Sequence, residues 1–536
     1  MTVAPAGSHL KVGELRPSQI LFSFGVGAIV DLPHLSVMVM GLDDWDVQRT
    51  REVGEERLLA AVRQKLGSQV TSLRLPPMPE GEAPIAAGVL DESQRIGVPV
   101  APFPRWMRCG FCKKLAPLRS GLFTLKEDPW RVDRTRYVHQ NCTRTTPPDV
   151  LPSRFLVACE NGHLDDFPWM RFAHQGPTNC QGNLQLFESG PSGEAQDLFV
   201  KCVDCGTGRS LAQAFGDIDP DVLGPCRGRR PHLRGYDEKS CTEPLRTILL
   251  GASNLWFPVT FSALSIPTGA DQLLQGVSEH WTVLGKATSA REVELIRGLG
   301  HLQELGGYDA QAIWAAVEAH RAELAARTQE SAVQLRSPEW EAFANPDPDR
   351  QSGDFRLREV EPPARYQEVL RRVVLVERLR EVRALVGFTR VVSPGDLGEV
   401  ADLLDVPLVP ISRHAPEWVP ASEVRGEGLF LEFREEALQA WLARKQAGSR
   451  EEMLRVGHRA WREAREQAPA DAGFPGMRYV VLHSLAHALM RQLSVECGYA
   501  LASIRERVYA READGEGPAM AGMLLAAIHA GPEVQP

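Results

Sequence analysis

Lys201-Cys202-Val203-Asp204-Cys205, followed by Cys226 and Cys241, is the stretch that decides how the chain is read. A Cys-x-x-Cys pair on a tight knuckle presents two thiolates to one Zn2+ at about 2.3 Å, and a later pair closes the tetrahedron. Here the later pair is separated by 14 residues, so the pattern is a looped variant of a zinc ribbon. The bland alternative is four unpaired core cysteines.

Upstream lies a second pair, Cys109-x2-Cys112. Cys142 and Cys159 are its preferred closing pair, with His139 or His163 as substitutes; Cys180 is left over and reads as a small buried apolar residue. Nine of the ten cysteines fall between Cys109 and Cys241, and Cys497 stands alone. Such clustering in a large chain points to metal rather than disulfides. Two Zn2+ ions are expected, both structural, because a four-thiolate site keeps no open position for water. No His-Glu-x-x-His occurs, and Cys109 and Cys202 follow Arg108 and Lys201 where a zinc deaminase has proline. No catalytic residue is assigned, and the chain is read as not an enzyme.

Working outward, Ile20–Phe24, Ala28–Pro33 and Val37–Met40 read as strands, and Leu58, Leu59, Val62 and Leu66 give helical spacing over 51–66. Pro76, Pro77, Pro79, Gly81 and Pro84 mark a linker. Beyond the cysteines, helices are predicted at 309–335, with Asp309 as cap, and at 364–387, followed by helical segments at 434–467 and 477–511. The expected fold is α+β and multidomain, with four regions. These are a mixed region over 1–100, a zinc-ribbon-like module with little core of its own over 101–250, a mostly helical middle over 251–433, and a helical carboxyl-terminal region over 434–536.

At 536 residues the chain is long enough for roughly three or four domains. Its 43% hydrophobic and 24% charged residues are those of a folded protein. No apolar run reaches the roughly 18–20 residues of a membrane span, and no signal peptide opens the chain, so a cytoplasmic protein is expected. The net charge of −9 argues against a whole-molecule clamp on nucleic acid. Residues 101–250 carry 20 Lys/Arg against 17 Asp/Glu, an excess that permits local DNA contact.

Two basic clusters stand out. Arg227, Arg229, Arg230 and Arg234 lie between Cys226 and Cys241, where a metal-fixed backbone could aim them at phosphates. Arg371, Arg372, Arg378, Arg380 and Arg383 decorate the predicted 364–387 helix and read as a solvated face. His483 and His487, at i and i+4, have a spacing that can hold a metal, although core or interface histidines are the plainer reading. Gly25-Val26-Gly27 reads as a tight turn and lacks the third glycine of a phosphate cradle. Gly285-Lys286-Ala287 is not a P-loop, so any ATP use belongs to a partner.

Four blocks carry a family resemblance. They are Leu15-Arg16-Pro17-Ser18-Gln19 with Phe24–Pro33, Arg154–Trp169 around Cys159-Glu160-Asn161-Gly162-His163, Gly251–Pro258, and Leu482–His487 with Glu496–Tyr499 and Ala502–Arg507. In this order they resemble the DrmB family of DISARM anti-phage systems. The last block resembles the start of a domain of unknown function found at the carboxyl end of some helicases. The resemblance implies a component acting with the helicase DrmA, beside a DNA methyltransferase and a phospholipase-D-like protein, and contacting DNA through the complex. The family's terminal domain continues into a further cysteine cluster, whereas this chain runs through Arg511–Gly517 to Pro536, which reads as a truncated or divergent short form. Two other classes compete with this reading: a zinc-dependent hydrolase or nuclease using His139, His163, Asp165 and Asp166, and a scaffold with no DNA contact.

Overall fold

The computed structural model describes residues 15–78, 96–128, 132–188, 195–216, 220–267, 280–300, 305–329, 335–347, 351–394, 406–464, 469–513 and 517–530, with isolated positions between 273 and 302. Its frame is a sheet built on two long antiparallel strands, Leu370–Thr389 and Trp418–Phe433, which pair in register Val374↔Phe430 and Ala384↔Ala421. Phe257–Leu264 flanks one half of the first strand and Arg356–Val360 the other. Gly522–Ala530 and then Ile504–Tyr509 extend the sheet beyond the second strand.

From Leu370 onward the 364–387 segment is therefore a strand where a helix was predicted, after a single 3-10 turn at Ala364–Tyr366. Its Leu, Glu and Arg residues favour helix, but Val373, Val374, Val376, Val382 and Val386 suit a pleated surface. From Glu381 to Thr389 every residue is buried, because the strand has partners on both edges and layers on both faces. A strand buried on both faces loses the period-2 alternation that would have marked it. Of its arginines, Arg371 and Arg378 are exposed as expected, and the other three are engaged on the sheet. Arg372 pairs with Glu432 at 2.8 Å, Arg380 with Glu423 at 2.8 Å, and Arg383 with Glu381. The 251–433 region, expected to be mostly helical, combines this sheet with helices Ala290–Gly298, Ala310–Gln329 and Arg336–Ala344, the first two packed around Val293, Ile313 and Val317.

The amino-terminal region shares that sheet's core. Helix Glu56–Leu66 buries Leu58, Leu59 and Val62 beside Val259, Phe261, Val382, Ala384 and Phe388. Residues 15–75 and the middle region thus pack around one core, and the boundary expected near residue 100 does not separate them. Ile20–Phe24, expected as a strand, falls instead on a short helix, Pro17–Phe22, with proline at its first turn where no N–H is needed. Gly27 takes φ +81° in the turn that follows, and its carbonyl accepts from the buried Arg390 guanidinium at 2.7 Å. The Gly-Val-Gly segment is a packing turn.

Asp309 caps helix Ala310–Gln329 as predicted, its carboxylate accepting from the Ala312 N–H at 2.6 Å. At the carboxyl end, helices Glu435–Leu442, Lys445–Glu463 and Gly476–Cys497 match the helical expectation as far as Cys497. Ile504–Tyr509, inside the predicted 477–511 helical segment, is a strand. Gly476–Cys497 lies on the sheet, with Leu482, Ala486 and Met490 packed against Ile504, Val508 and Met523. Among the described residues no helix is long and apolar enough to cross a membrane.

Residues 101–250 form two main sheets, beside the two-stranded ribbons Thr124–Lys126/Arg136–Val138 and Arg229–Arg230/Gly235–Tyr236. One main sheet runs Val150–Pro152, Trp106–Cys109, Lys114–Pro117, Leu184–Glu188, Leu198–Cys202 and Gly208–Ser210; the other joins Leu164–Asp166, Phe155–Ala158 and Arg246–Leu249. They enclose an aromatic core of Phe155, Phe167, Trp169 and Phe172, with the Phe167 and Trp169 ring centroids 4.8 Å apart. The module thus has a core of its own, contrary to the expectation from its loop-rich sequence.

Candidate metal centres

Three sets of four cysteine and histidine donors gather in this module, and all ten cysteines of the chain are free thiols. The first set is Cys109, Cys112, His139 and Cys142. Trp106–Cys109 and Lys114–Pro117 form a hairpin whose tip is the Cys-x-x-Cys knuckle. Lys113 adopts φ 63°, and its N–H returns to the Cys109 carbonyl at 3.2 Å. This turn aims both sulfurs to one side. His139 and Cys142 follow strand Arg136–Val138, and Cys112 Sγ lies 3.4 Å from His139 Nδ1.

The second set is Cys159, His163, Cys226 and Cys241. Cys159 follows strand Phe155–Ala158, and Gly162, at φ +76°, turns the chain so that His163 faces back. Cys159 Sγ lies 3.3 Å from His163 Nδ1, 3.7 Å from Cys226 Sγ and 3.9 Å from Cys241 Sγ. The other imidazole nitrogen, Nε2, is 2.7 Å from Asp237 Oδ2, and Arg230 holds that carboxylate at 2.8 Å. A carboxylate behind a histidine fixes the ring and leaves the opposite nitrogen free to bind a metal.

The third set is His174, Cys180, Cys202 and Cys205. Cys202 ends strand Leu198–Cys202, and Gly206 closes the knuckle with its N–H 3.0 Å from the Cys202 carbonyl. Cys180 Sγ is 3.8 Å from Cys202 Sγ, and Cys205 Sγ is 3.3 Å from His174 Nε2. His174 Nδ1 meets the Met170 carbonyl at 2.7 Å, which again assigns the ligand nitrogen.

These spacings fit a tetrahedral ion. With bonds of about 2.3 Å to sulfur and about 2.0 Å to nitrogen, tetrahedral edges are roughly 3.8 Å between sulfurs and roughly 3.5 Å between sulfur and nitrogen. The electrostatics agree. The Cys159 thiol is pushed up to about 12, first by its hydrogen bond with Cys226 and then by burial, while the same bond holds Cys226 below the ordinary thiol range. A divalent cation among the sulfurs reverses that penalty and deprotonates its thiols.

The donors are therefore grouped differently from the sequence reading. Cys109, Cys112 and Cys142 do come together, but His139 completes their set and Cys159 does not. Cys202 and Cys205 do not meet Cys226 and Cys241; each pair closes with partners from elsewhere. Three clusters stand where two sites were expected, and Cys180 is a donor in the third rather than a leftover core residue. The missed signals are a repeated two-residue gap, Cys109-x2-Cys112 with His139-x2-Cys142, and His174 just ahead of Cys180.

The arginines between Cys226 and Cys241 are largely engaged within the protein. Arg227 Nε donates to Asp165 at 3.0 Å, and Arg229, 6% exposed, pairs with Asp165 and with Asp166 at 2.9 Å. Arg230 holds Asp237, and Arg234 reaches Asp44 at 3.0 Å. Burial raises both the Asp165 and Asp166 carboxyls, against the pull of the arginines. Because both Asp165 oxygens accept from guanidinium groups, the carboxylate is the form that fits. Asp166 also accepts from the Arg105 and Trp106 N–H groups, so the pair ties the second donor set to the strand that carries Cys109. Beside it lies a cavity of about 570 Å3 whose lining includes Arg105, Arg119, Arg227, Trp169 and Tyr236.

Residues 16–257, which span all three donor sets, match a family described as Domain of unknown function (DUF8724). The DISARM protein DrmB of Bacillus paralicheniformis is 32% identical over 456 residues, covering 80% of this chain and 74% of that protein. At that identity over four-fifths of its length, the chain belongs to the DrmB family of DISARM proteins.

Proposed function

We propose that this chain is a non-catalytic, zinc-stapled subunit of a DISARM-type anti-phage complex, which pairs with a DrmA-like helicase and helps to bind and gate DNA. The observation that carries the reading is the closed character of the three donor sets. Each supplies four protein ligands, which suits structural zinc and leaves no position for a reacting water. The DISARM context and the helicase partner rest on the family. The hydrolase alternative draws less support, because Asp165 and Asp166 are occupied by arginines and backbone N–H groups.

DNA contact is assigned to the rim of the cavity rather than to all four arginines of the Cys226–Cys241 loop. Arg105, Arg119 and Arg227 are exposed there, and Arg119 meets no carboxylate among the described residues. Tyr236, 58% exposed, lies under the Arg227 guanidinium at 5.9 Å and offers a stacking face. Arg229 and Arg230 brace the metal module.

The test is co-purification of the tagged chain with a DrmA-like helicase, followed by DNA titration across salt concentrations. Changing Arg105, Arg119 and Arg227 together to Ala is expected to flatten the slope of log affinity against log salt by about 0.9 for each phosphate that is no longer neutralised. An unchanged slope removes this rim from the DNA interface, and failure to co-purify removes the helicase pairing.

A further inference from the structure

A fourth group of donors contains no cysteine and lies outside the metal module. Helix Gly476–Cys497 places His483 and His487 one turn apart, so both imidazoles project on one side. Their ring centroids are 4.4 Å apart at 76°, and His483 stacks on Tyr479 at 5.5 Å. Glu506 comes from the edge strand Ile504–Tyr509, between Ile504 and Val508, whose side chains pack in the same core as the helix. Its neighbour Arg507 is used on other elements, binding Ser262 and Glu339.

The carboxylate thus sits under the helix beside two imidazoles. Glu506 Oε1 is 2.5 Å from His483 Nδ1 and 3.4 Å from His487 Nε2. No arginine or lysine among the described residues pairs with it. A simple histidine–glutamate ion pair accounts poorly for this arrangement. His483 Nδ1 and Glu506 Oε2 are both buried and neither makes a hydrogen bond, so the 2.5 Å approach is a contact without hydrogen-bond alignment. Buried polar atoms left in this state are costly. A cation shared by the three side chains supplies what both atoms lack.

We propose that His483, His487 and Glu506 form a binding site for a divalent first-row transition metal ion, of the two-imidazole, one-carboxylate kind. All three donor atoms lie within 4.8 Å of one another. Bonds of about 2.0–2.2 Å call for donor separations of roughly 2.9–3.4 Å, which small rotations of these side chains provide. Imidazole and carboxylate donors suit zinc, nickel or iron without the thiolates that dominate the other clusters. His487 is 52% exposed, so the site opens to solvent. Three protein ligands leave further coordination positions for water or a small anionic ligand, in contrast to the four-donor sets. Metal binding here does not depend on DNA contact at the arginine rim.

Titration with Ni2+ by calorimetry tests it, on full-length protein loaded with three zinc ions per chain, one for each four-donor set. One Ni2+ per chain is expected beyond the resident zinc, with binding abolished in the His483→Ala/His487→Ala double variant and weakened roughly tenfold or more in Glu506→Gln. His487→Ala alone, at a half-exposed position, is expected to weaken Ni2+ binding while keeping the parent's melting temperature, which separates ligand removal from misfolding. The bound ion is expected to lack sulfur-to-metal charge-transfer absorption. Equal binding in parent and variants, no binding by the parent, or a charge-transfer band placing the ion in a cysteine site would each overturn the proposal.

Discussion

The Asp237 carboxylate stands 2.7 Å behind His163 Nε2, and the opposite nitrogen of that ring faces Cys159, Cys226 and Cys241. Asp237 is itself gripped by Arg230, so a residue expected to touch DNA holds the carboxylate behind a candidate metal donor. Its carboxyl is held below the usual carboxylate range although burial pushes the other way, because Arg230 and His163 both bond its charged form.

Asp237→Asn keeps the shape and removes the charge. Changing the carboxylate behind a metal-binding histidine typically costs about 10–100-fold in metal affinity. Competition with a chromophoric chelator is expected to show one zinc per chain released that much more readily. Equal release from all three clusters would show that Asp237 supports the fold generally rather than His163.

Serine variants test the grouping of donors. Cys180→Ser and Cys205→Ser are expected to lower zinc content by the same single ion, alone or combined, because they share a cluster. Cys159→Ser with Cys142→Ser is expected to lower it by two. If Cys159→Ser and Cys142→Ser instead remove the same ion, measured by elemental analysis, the pairing suggested by the sequence is restored.

Arg229→Ala leaves Asp165 and Asp166 facing each other without their most buried partner. Breaking a buried ion pair from one side costs about 3–5 kcal/mol. A large drop in denaturant midpoint is expected, whereas the exposed Arg119→Ala should stay within about 0.5 kcal/mol of the parent. The opposite ranking would make Arg229 a free cation again, available to DNA.

Chelation gives a regional readout. Apparent folding energies of structural zinc in small peptides are about 10–16 kcal/mol per site. Stripping the metal is therefore expected to abolish hydrogen-exchange protection over 101–250, while the long strands Leu370–Thr389 and Trp418–Phe433 keep theirs. Uniform protection before and after chelation would mean that the aromatic core alone holds the module.

Glu435 supplies a pH test outside the metal module. Its hydrogen bonds from the Arg478 guanidinium, one at 2.7 Å, hold its carboxyl below the ordinary range. A depressed folded-state value means that the contribution is present above the unfolded carboxylate pKa of about 4.3 and is lost as pH falls through the lower folded value. Glu435→Gln is expected to melt below the parent at neutral pH, with the gap closing below about pH 4. A constant gap would assign the loss to packing instead.

By itself the sequence determined the family, through blocks spread along the chain, and the presence of metal-donor knuckles. A Cys-x-x-Cys turn is local: its first sulfur, a residue of positive φ and one returning N–H lie within five residues, as at Cys109–Lys113 and Cys202–Gly206. Helices Glu56–Leu66 and Ala310–Gln329 were legible for the same reason, since their signals lie within a few turns. Which donors close each knuckle is a long-range matter. Cys159 and Cys241 are 82 residues apart, and the sheets between them, not their spacing, bring their sulfurs to 3.9 Å. Likewise only the tertiary structure decided that Leu370–Thr389 is a strand, because burial on both faces erased its alternation. It also decided that the loop arginines brace carboxylates, since opposite charges brought together at a partly buried site pair with each other before they meet a ligand.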